Sequence, residues 1–549
     1  MRIALSQLNY RIADYPGNVD AIVNAINKAR KDNAHLVIFS ELSVCGYPPL
    51  DLLEQKDFIE EAEKSVKIIA NECRDIAAIV GAPSVNLSNK GKKLFNSAYF
   101  ICKGEVRHIQ HKTNLPNYDV FDEYRYFEHN TEFKLVNYLG KKLAITICED
   151  LWDEQPVENS FARDRLYTVS PMEFYAPLQP DFVVNIAASP FSYNKDNLRR
   201  QVMVKNAINY NIPIIYVNQV GANNDLIFDG GSMVLNSEGV SVEELDFFSE
   251  DYRIIETDRI NKLKPVAGKQ VNAIERIHDA LVLGIHDYFA KMNFKTAVLG
   301  LSGGIDSAVT LVLAARALGN ENIRVLLLPS QYSSGHSVDD AIELSRRLNV
   351  KYEIISIQPV CDEFESSLSS VFCGLPPGIT EENIQARVRG IYLMAVSNKF
   401  GNILLNTSNK SEAAVGYGTL YGDMNGGLSV LGDVYKTDVY RLSEFINREA
   451  DVIPPNIINK PPSAELRPDQ KDSDSLPDYE ILDKILFQYI ELKQSASEIV
   501  RLGYDRNLAN KVIHMVNTNE YKRFQCPPIL RISSKAFGHG RRMPLVAKY

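Results

Sequence analysis

Residues 296–318 read TAVLGLSGGIDSAVTLVLAARAL and decide the fold of the second half of the chain. The apolar run Thr296–Leu301 predicts a buried strand, and the apolar spacing over Ile305–Leu318 predicts a helix. Between them, the adjacent Gly303 and Gly304 permit positive φ, so successive backbone N–H groups can converge on an anion. The N-terminus of the following helix adds free donors and partial positive charge. The segment therefore predicts an anion-binding strand–turn–helix unit.

The alternation of strands and helices continues beyond this unit. The predicted elements are strand Arg324–Leu328, helix Ser337–Leu348, strand Tyr352–Ile357, helix Glu381–Asn398 and strand Ile403–Asn406, with mainly helical segments from Lys436 onward. Because strands that alternate with helices pair in parallel, this half is predicted to be an α/β domain with a doubly wound parallel sheet. The stretch Lys460–Pro477 is rich in Pro, Ser and Asp and predicts a mobile loop.

The first half also alternates short strands with helices, but its strands are mostly continuous apolar runs. The predicted strands are Ile3–Gln7, Leu36–Ser40, Ala77–Gly81, Ser97–Cys102, Leu143–Cys148, Phe182–Ala187 and Ile214–Gln219, with a helix over Asn18–Lys31 and a hairpin near Met233–Val242. Such runs predict a sheet that is buried on both faces or packed on a second sheet. Because residues 257–270 are polar and contain Pro265 and Gly268, we expect domains at 1–256 and 271–549 joined by a linker.

Composition excludes several classes of protein. Of 549 residues, 45% are hydrophobic and 23% charged, a balance typical of a soluble globular protein. The net charge of −9 argues against nucleic-acid partners, and no apolar stretch approaches the roughly 20 residues that cross a bilayer, so no membrane association is expected. The N-terminus lacks the layout of a signal peptide, and the seven scattered cysteines contain no CxxC pair. We therefore expect reduced thiols and a cytoplasmic location.

Three side chains of complementary chemistry fall at predicted strand ends in the first half. Glu41 follows one strand, Lys112 follows a second strand pattern, and Cys148 ends an apolar strand that leads into a turn. Because strand ends can meet at one edge of a sheet, these three side chains can lie close together. A cysteine nucleophile at the second position is excluded by Arg2, and no histidine follows Cys148 within this half that could complete a Cys-His-Glu triad.

With its flanking residues, this Glu-Lys-Cys arrangement resembles the nitrilase superfamily over about residues 1–250. The resemblance implies a nitrilase-like αββα sandwich in which Cys148 attacks the side-chain amide of glutamine, Glu41 moves the protons and Lys112 steadies the oxyanion. Nearby cationic charge is expected to favour the Cys148 thiolate. The resemblance also implies that glutamine is bound by Tyr118, Glu149, Ser189 and Lys195.

The glycine-rich turn of the second half resembles the pyrophosphatase loop of the ATP-pyrophosphatase family, whose domain is Rossmann-like. It is not a Walker A loop, because each Gly-Lys pair in the chain lacks a following Ser or Thr. The resemblance implies that ATP is bound by Gly300, Leu301, Ser302, Gly303, Gly304, Ile305, Asp306 and Ser307 and is cleaved to AMP and pyrophosphate.

Further segments resemble NAD synthetases, namely 381–389, 406–412, 421–423, 436–437, 462–466 and 522–523. By this resemblance, Thr407, Lys436 and Ser463 contact ATP, and Asp306 with Glu412 holds Mg²⁺. Asn383, Arg387, Glu412 and Lys522 are implied to bind deamido-NAD. Two carboxylates suit Mg²⁺, which prefers hard oxygen ligands and bridges phosphates.

Together, the two halves resemble the glutamine-dependent NAD synthetase family. The hypothesis is that glutamine hydrolysis supplies ammonia, which displaces AMP from adenylated deamido-NAD, in a homodimer or larger homo-oligomer. Two alternatives stay open: another ATP-pyrophosphatase amidotransferase, making for example GMP or asparagine, and an ammonia-dependent synthetase whose first half is a non-catalytic docking module.

Overall fold

The computed structural model describes residues 1–154, 166–194, 196–266, 272–468 and 470–548. The chain forms two compact units, Met1–Gln270 and Val271–Tyr549, and each is described by itself. Throughout the described ranges, every helix is too short or too polar to span a lipid bilayer.

The first unit is built mainly from strands. They are β1 (Arg2–Gln7), β2 (Leu36–Ile38), β3 (Ala77–Val85), β4 (Leu94–Cys102), β5 (Glu105–His111), β6 (Val136–Tyr138), β7 (Lys141–Ile147), β8 (Phe182–Ala187), β9 (Ile214–Asn218), β10 (Val220–Asn223), β11 (Leu226–Asp229), β12 (Met233–Leu235), β13 (Ser241–Glu244) and β14 (Asp251–Glu256). The helices are α1 (Tyr15–Lys31), α2 (Lys56–Glu72), α3 (Glu123–Tyr126), α4 (Pro171–Tyr175) and α5 (Asp196–Tyr210), with 3₁₀ turns at Leu50–Glu54, Cys148–Glu154, Ala176–Leu178 and Thr257–Lys262.

Two mixed sheets of similar plan form the centre of the first unit. Their strand orders are β14-β1-β2-β3-β4-β5 and β13-β12-β9-β8-β7-β6, and β10 pairs with β11 separately. The inner faces share one apolar core, in which Leu5 and Ile38 of one sheet join Ile145 and Val184 of the other. Helices α1 and α2 cover the outer face of the first sheet, and α5 packs on the second. The αββα sandwich expected from the sequence is therefore confirmed.

Helix α1 shows how the local sequence sets these layers. The Asp14 side chain accepts a hydrogen bond from the backbone N–H of Gly17, and a proline stands in the first turn, where no N–H donor is needed. Val19, Ile22 and Ile26 recur at helical spacing and are buried against the sheet. The helix therefore starts at a cap and packs by an apolar stripe.

The second unit contains one sheet and many helices. Its strands are β15 (Ala297–Gly300), β16 (Ile323–Leu327), β17 (Lys351–Ile354), β18 (Ile403–Asn406) and β19 (Leu428–Ser429). Its helices are α6 (Ala273–Met292), α7 (Ile305–Leu318), α8 (Gly335–Arg347), α9 (Gln358–Phe372), α10 (Ile379–Phe400), α11 (Lys410–Val415), α12 (Lys436–Ile446), α13 (Pro455–Asn459), α14 (Tyr479–Leu486), α15 (Ala496–Arg501), α16 (Arg506–Thr518) and α17 (Glu520–Arg523). Shorter turns are 3₁₀ at Asn320–Asn322 and Asp472–Asp474, and π-helical at Phe487–Glu491.

The sheet of the second unit is parallel, with the strand order β17-β16-β15-β18-β19. The chain moves outward from β15 to β16 and later returns to the other side of β15 as β18. The gap beyond the carboxyl ends of β15 and β18 is thus a topological switch point, where doubly wound sheets bind ligands. The predicted fold of this half is confirmed, and α7 has the predicted bounds.

In the stretch predicted as a mobile loop, Lys460–Pro477, the described residues are mostly irregular but include the short turn Asp472–Asp474. The predicted linker 257–270 begins with the 3₁₀ turn Thr257–Lys262, in which Ile260 is buried. Residues 267–270 lie outside the described ranges. The two predicted domain boundaries, at 256/257 and 270/271, stay a prediction.

We expect Leu143→Ala to lower the free energy of unfolding of the first unit by about 2–5 kcal/mol, because it leaves a cavity in a closely packed core. Leu143 is fully buried on β7, between β6 and β8. Chemical denaturation followed by fluorescence measures the change. The matched control is Leu87→Ala, since Leu87 is 92% exposed. An equal, small effect of both substitutions would contradict the shared core.

Candidate active sites

A buried ion cluster joins two strand ends of the first unit. Nζ of Lys112 lies 2.7 Å from Oε1 of Glu41, and both side chains are almost completely buried. Glu41 follows β2 and Lys112 follows β5, and these strands run in the same direction within one sheet. The second oxygen of Glu41 accepts a hydrogen bond from the backbone N–H of Ala188. The structure therefore brings together two of the predicted catalytic side chains.

Glu123 is a second carboxylate on the same lysine and was not among the predicted site residues. Its Oε1 lies 2.8 Å from Nζ of Lys112 and also accepts a hydrogen bond from the hydroxyl of Tyr47. The Asn96 amide donates to both Glu41 and Glu123. Burial alone would lower the pKa of Lys112, but Glu123 and Glu41 outweigh it and raise that pKa well above its usual range.

Cys148 stands directly after β7, where the chain enters the 3₁₀ turn Cys148–Glu154. Its φ is 44°, a left-handed conformation that few residues other than glycine adopt, and its side chain is buried. The Asn185 side chain donates a hydrogen bond to the Cys148 carbonyl oxygen. Strained backbone of this kind is common where a fold must aim one side chain.

Asp150 fixes the cysteine turn to the lysine segment. Its Oδ1 accepts hydrogen bonds from the backbone N–H groups of Thr113 and Asn114, and its Oδ2 accepts one from Ile147. The three donors belong to the residues just after Lys112 and just before Cys148. One buried carboxylate thus fixes the segment that follows Lys112 relative to the turn that carries Cys148.

The electrostatic surroundings of Cys148 differ from the expectation. Burial, followed by the Glu41 carboxylate, raises the pKa of the Cys148 thiol well above its usual range, while Lys112 acts in the opposite direction. The expected effect of the cation exists but is outweighed, first by burial of the thiol and then by the Glu41 carboxylate. The thiol is therefore protonated at rest and needs a base to react.

Of the predicted glutamine contacts, Tyr118 and Glu149 lie together. The Tyr118 hydroxyl donates a hydrogen bond of 2.5 Å to Oε1 of Glu149, and Tyr167, which the sequence analysis missed, donates one of 2.9 Å to the same oxygen. Ser189 exchanges backbone hydrogen bonds with the Asn218 side chain. Lys195 lies outside the described residues.

In the second unit, the predicted loop bends through hydrogen bonds among its own residues. The Ser302 hydroxyl contacts that of Ser307 at 3.1 Å and accepts a hydrogen bond from the N–H of Gly304. Gly303 has φ +77°, and a Cβ there would lie 2.2 Å from the carbonyl oxygen of Ser337 on α8. Only glycine fits at this position, because both the conformation and the space exclude a side chain.

A cavity of about 300 Å³ opens at the switch point beside this loop. Its lining includes most of the predicted ATP contacts and both predicted metal ligands. These are Gly300, Leu301, Ser302, Gly304, Ile305, Asp306, Ser307, Thr407, Glu412, Lys436 and Ser463. Gly303 is not among the lining residues, since it faces α8 instead.

Lys436 lies between two carboxylates on the cavity wall. Its Nζ forms an ion pair with Oδ2 of Asp306 and lies 3.5 Å from Oε1 of Glu412. Burial raises the pKa of Glu412 to about 8, although Lys436 opposes the shift. The arrangement places the predicted phosphate-binding cation and the predicted metal ligands in mutual contact.

The donor set of this cavity fits Mg²⁺ only with help from a substrate. Within the described residues, no group of three or more His, Cys, Asp or Glu side chains could hold a metal ion by itself. Asp306 and Glu412 offer two hard oxygen ligands, and Mg²⁺ in proteins is commonly bound by one or two carboxylates together with substrate phosphates.

The remaining predicted substrate contacts surround one turn, Gly416–Leu420, and do not line the cavity. Asn383 accepts a hydrogen bond from the hydroxyl of Thr419, and Arg387 donates to the carbonyl oxygen of Leu420. Nζ of Lys522 donates to the carbonyl oxygens of Gly416 and Gly418. These three side chains therefore form a second cluster, separate from the cavity lining, in the same unit.

Known proteins match both units of the chain. Residues 2–262 match the carbon-nitrogen hydrolase family, and residues 277–526 match the NAD synthase family. A glutamine-dependent NAD(+) synthetase of Synechocystis sp. is 43% identical and covers 100% of this chain and 99% of its own. One from Acinetobacter baylyi is 42% identical and covers 99% and 98%. The chain belongs to the glutamine-dependent NAD(+) synthetase family. The resemblance inferred from the sequence is thereby confirmed.

A solved structure supports the same assignment. The glutamine-dependent NAD(+) synthetase of Acinetobacter baumannii, in complex with adenosine diphosphate, is 38% identical, with a TM-score of 0.78 and coverage of 99% of this chain and 98% of that one. In this member of the NAD(+) synthetase family, the carbon-nitrogen hydrolase match spans Glu41, Lys112 and Cys148. The NAD synthase match spans the loop at 300–307.

We expect Gly303→Ala to destabilise the second unit by about 1–3 kcal/mol or more, because alanine at this φ is strained and its Cβ overlaps the Ser337 carbonyl. Thermal unfolding monitored by circular dichroism measures the change. Gly335→Ala is the matched control nearby on α8, since a Cβ there meets nothing within 4 Å. Equal stability of the two variants would show that the loop does not need glycine.

Proposed function

We propose that this chain makes NAD from deamido-NAD, with glutamine as nitrogen donor and ATP as the activating co-substrate. The first unit would hydrolyse glutamine, and the second would adenylate deamido-NAD and pass ammonia to it. The observation that carries the proposal is the buried Glu41–Lys112 pair that acts on Cys148, in a chain that also holds the glycine-rich loop and its cavity.

In the proposed hydrolysis, Sγ of Cys148 attacks the side-chain amide carbon of glutamine. Glu41 takes the thiol proton and transfers it to the leaving nitrogen, which departs as ammonia. Because the thiol is protonated at rest, this base is required. Lys112, fixed by its two carboxylates, stabilises the oxyanion of the tetrahedral intermediate. Glu41 then deprotonates a water that cleaves the thioester and releases glutamate.

In the proposed synthesis, the nicotinate carboxylate of deamido-NAD attacks the α-phosphorus of ATP, and pyrophosphate leaves. The backbone donors of Ser302–Ser307 and the ammonium of Lys436 would hold the phosphates. Asp306 and Glu412 would bind Mg²⁺, which offsets negative charge on the phosphates when it is bound. Ammonia then attacks the acyl adenylate, and AMP leaves as the amide forms.

Asn383, Arg387 and Lys522 remain proposed contacts for deamido-NAD. Their shared position around Gly416–Leu420 supports a common ligand, and Glu412 reaches the same turn through its backbone, since its carbonyl accepts from the N–H of Tyr417. The predicted homodimer or larger homo-oligomer stays a prediction.

Different observations disfavour the two alternative functions. Full-length similarity to glutamine-dependent NAD(+) synthetases disfavours a GMP or asparagine synthetase, and an assay that compares deamido-NAD with xanthosine monophosphate and aspartate as acceptors decides the matter. A non-catalytic first unit is disfavoured because Glu41, Lys112 and Cys148 are all present and the buried Glu41–Lys112 pair acts electrostatically on the thiol.

We expect Cys148→Ala to abolish NAD synthesis driven by glutamine and to leave synthesis driven by added ammonia within about twofold, since only the nucleophile is lost. NAD formation is measured with each nitrogen source. The matched control is Cys102→Ala, which removes another buried thiol of the same unit. If Cys148→Ala kept glutamine-driven synthesis, or lost both activities equally, the proposed division of labour would be wrong.

We expect Asp306→Asn to lower NAD synthesis at least about 10²-fold with either nitrogen source, because it removes a negative ligand facing the proposed phosphates. Glutamine hydrolysis is expected to continue. Titration of Mg²⁺ at fixed ATP measures the accompanying rise in the metal requirement. Asp362→Asn, on the exposed side of α9, is the control. Normal synthesis by Asp306→Asn at low Mg²⁺ would exclude the proposed metal site.

A further inference from the structure

The Glu149 carboxylate is held by one of its two oxygens. Oε1 accepts hydrogen bonds from the hydroxyls of Tyr118 and Tyr167. Among the described residues, no donor reaches Oε2, and no ammonium or guanidinium group forms an ion pair with this carboxylate. Two donors on one oxygen fix the plane of the group and leave the other oxygen available to a ligand.

The ligand that fits this oxygen carries a positive charge. Glu149 is buried directly after Cys148, so a cation there would sit beside the amide under attack. Lys112 is already paired with Glu41 and Glu123, so among the described residues no side-chain cation is left to pair with Glu149, and a cationic ligand can take that place. Glutamine has one cationic group, its α-ammonium, and this group distinguishes it from simple amides.

We propose that Tyr167 is a positioning residue that sets substrate specificity: its hydroxyl, with that of Tyr118, holds Glu149 so that Oε2 binds the α-ammonium of glutamine. The proposal rests on the proposed function, since it assumes glutamine as the substrate of the first unit. Tyr167 comes from the segment before α4, which carries no motif, whereas Tyr118 follows the lysine segment.

The electrostatics of the pocket agree with this geometry. Burial raises the pKa of Glu149, and the hydrogen bonds from Tyr118 and Tyr167, together with the charge of Lys112, act against that rise. Each phenol therefore favours the anion. A hydrogen bond to a charged group contributes more than one between neutral groups, so the loss of one phenol has a measurable effect.

Tyr167→Phe tests the proposal by comparing two amides in the full-length enzyme. Glutaramate has the same amide and carboxylate as glutamine but no α-ammonium, so it makes no use of Glu149. We expect Tyr167→Phe to lower kcat/KM for glutamine about tenfold, mainly through KM, and to leave that for glutaramate unchanged. The ratio of the two values would fall about tenfold.

Two further variants serve as a control and as an independent test. Tyr138→Phe is the control: it removes a phenol that donates to the His35 carbonyl in the same unit, and its ratio of kcat/KM for glutamine to kcat/KM for glutaramate should equal that of the wild type. Glu149→Gln keeps the shape but not the charge, so its ratio should fall at least as far as that of Tyr167→Phe. Glu149→Gln gives the answer even if Tyr167→Phe does not fold.

If Tyr167→Phe has the same ratio of kcat/KM for glutamine to kcat/KM for glutaramate as the wild type, whether or not both values fall, the proposed role of Tyr167 is wrong. The proposed function would remain intact. An unchanged ratio in Glu149→Gln would overturn the assignment of the α-ammonium to Glu149. A wild-type enzyme that releases no ammonia from glutamine would instead refute the proposed function itself.

Discussion

The charge of Lys112 is the constraint on which the first unit depends. A buried ammonium is tolerated only when it is paired and hydrogen-bonded, and removing one partner of a buried ion pair typically costs about 3–5 kcal/mol. Glu41 and Glu123 supply the pairing from the end of β2 and the start of α3. Because both carboxylates must reach one nitrogen, three separate segments are held at one point, next to the turn that carries Cys148.

The second unit uses the same device at a different kind of site. Lys436 lies between Asp306 and Glu412, on the wall of the cavity at the switch point. In each unit, two carboxylates raise the pKa of a buried lysine and thereby favour its charged form. The two lysines differ in their access to solvent and ligands: Lys112 is enclosed, whereas Lys436 lines the cavity in which the nucleotide and the metal ion are proposed to bind.

Much of this could be predicted from the sequence, since strand ends and glycine turns leave a local signal. The bounds of α7, the order of strands and helices, and the positions of Glu41, Lys112 and Cys148 after strands follow from apolar periodicity and motif context. The strand β3 extends to Val85, beyond its predicted end at Gly81, because Gly81, Pro83 and Ser84 interrupt the apolar run on which the prediction rests.

The missed residues act through contacts that no spacing encodes. Tyr167 reaches the site from a segment without a motif, Glu123 follows the lysine motif but had no predicted role, and Asp150 accepts from backbone N–H groups about 35 residues away in the chain. The position of Glu123, a carboxylate shortly after the Lys112 segment, is the one sequence signal that could have predicted a second partner for the lysine. Lys112 does not lower the pKa of the thiol overall, mainly because the thiol is buried, and that burial is revealed only by the fold.

The most direct test of the central claim is to label the protein with a chloroketone analogue of glutamine and map the modified peptide by mass spectrometry. The account predicts a single adduct on Cys148, prevented by excess glutamine and slowed strongly by Lys112→Met. Labelling of another cysteine instead, or labelling of Cys148 that ignores both glutamine and Lys112, would contradict it.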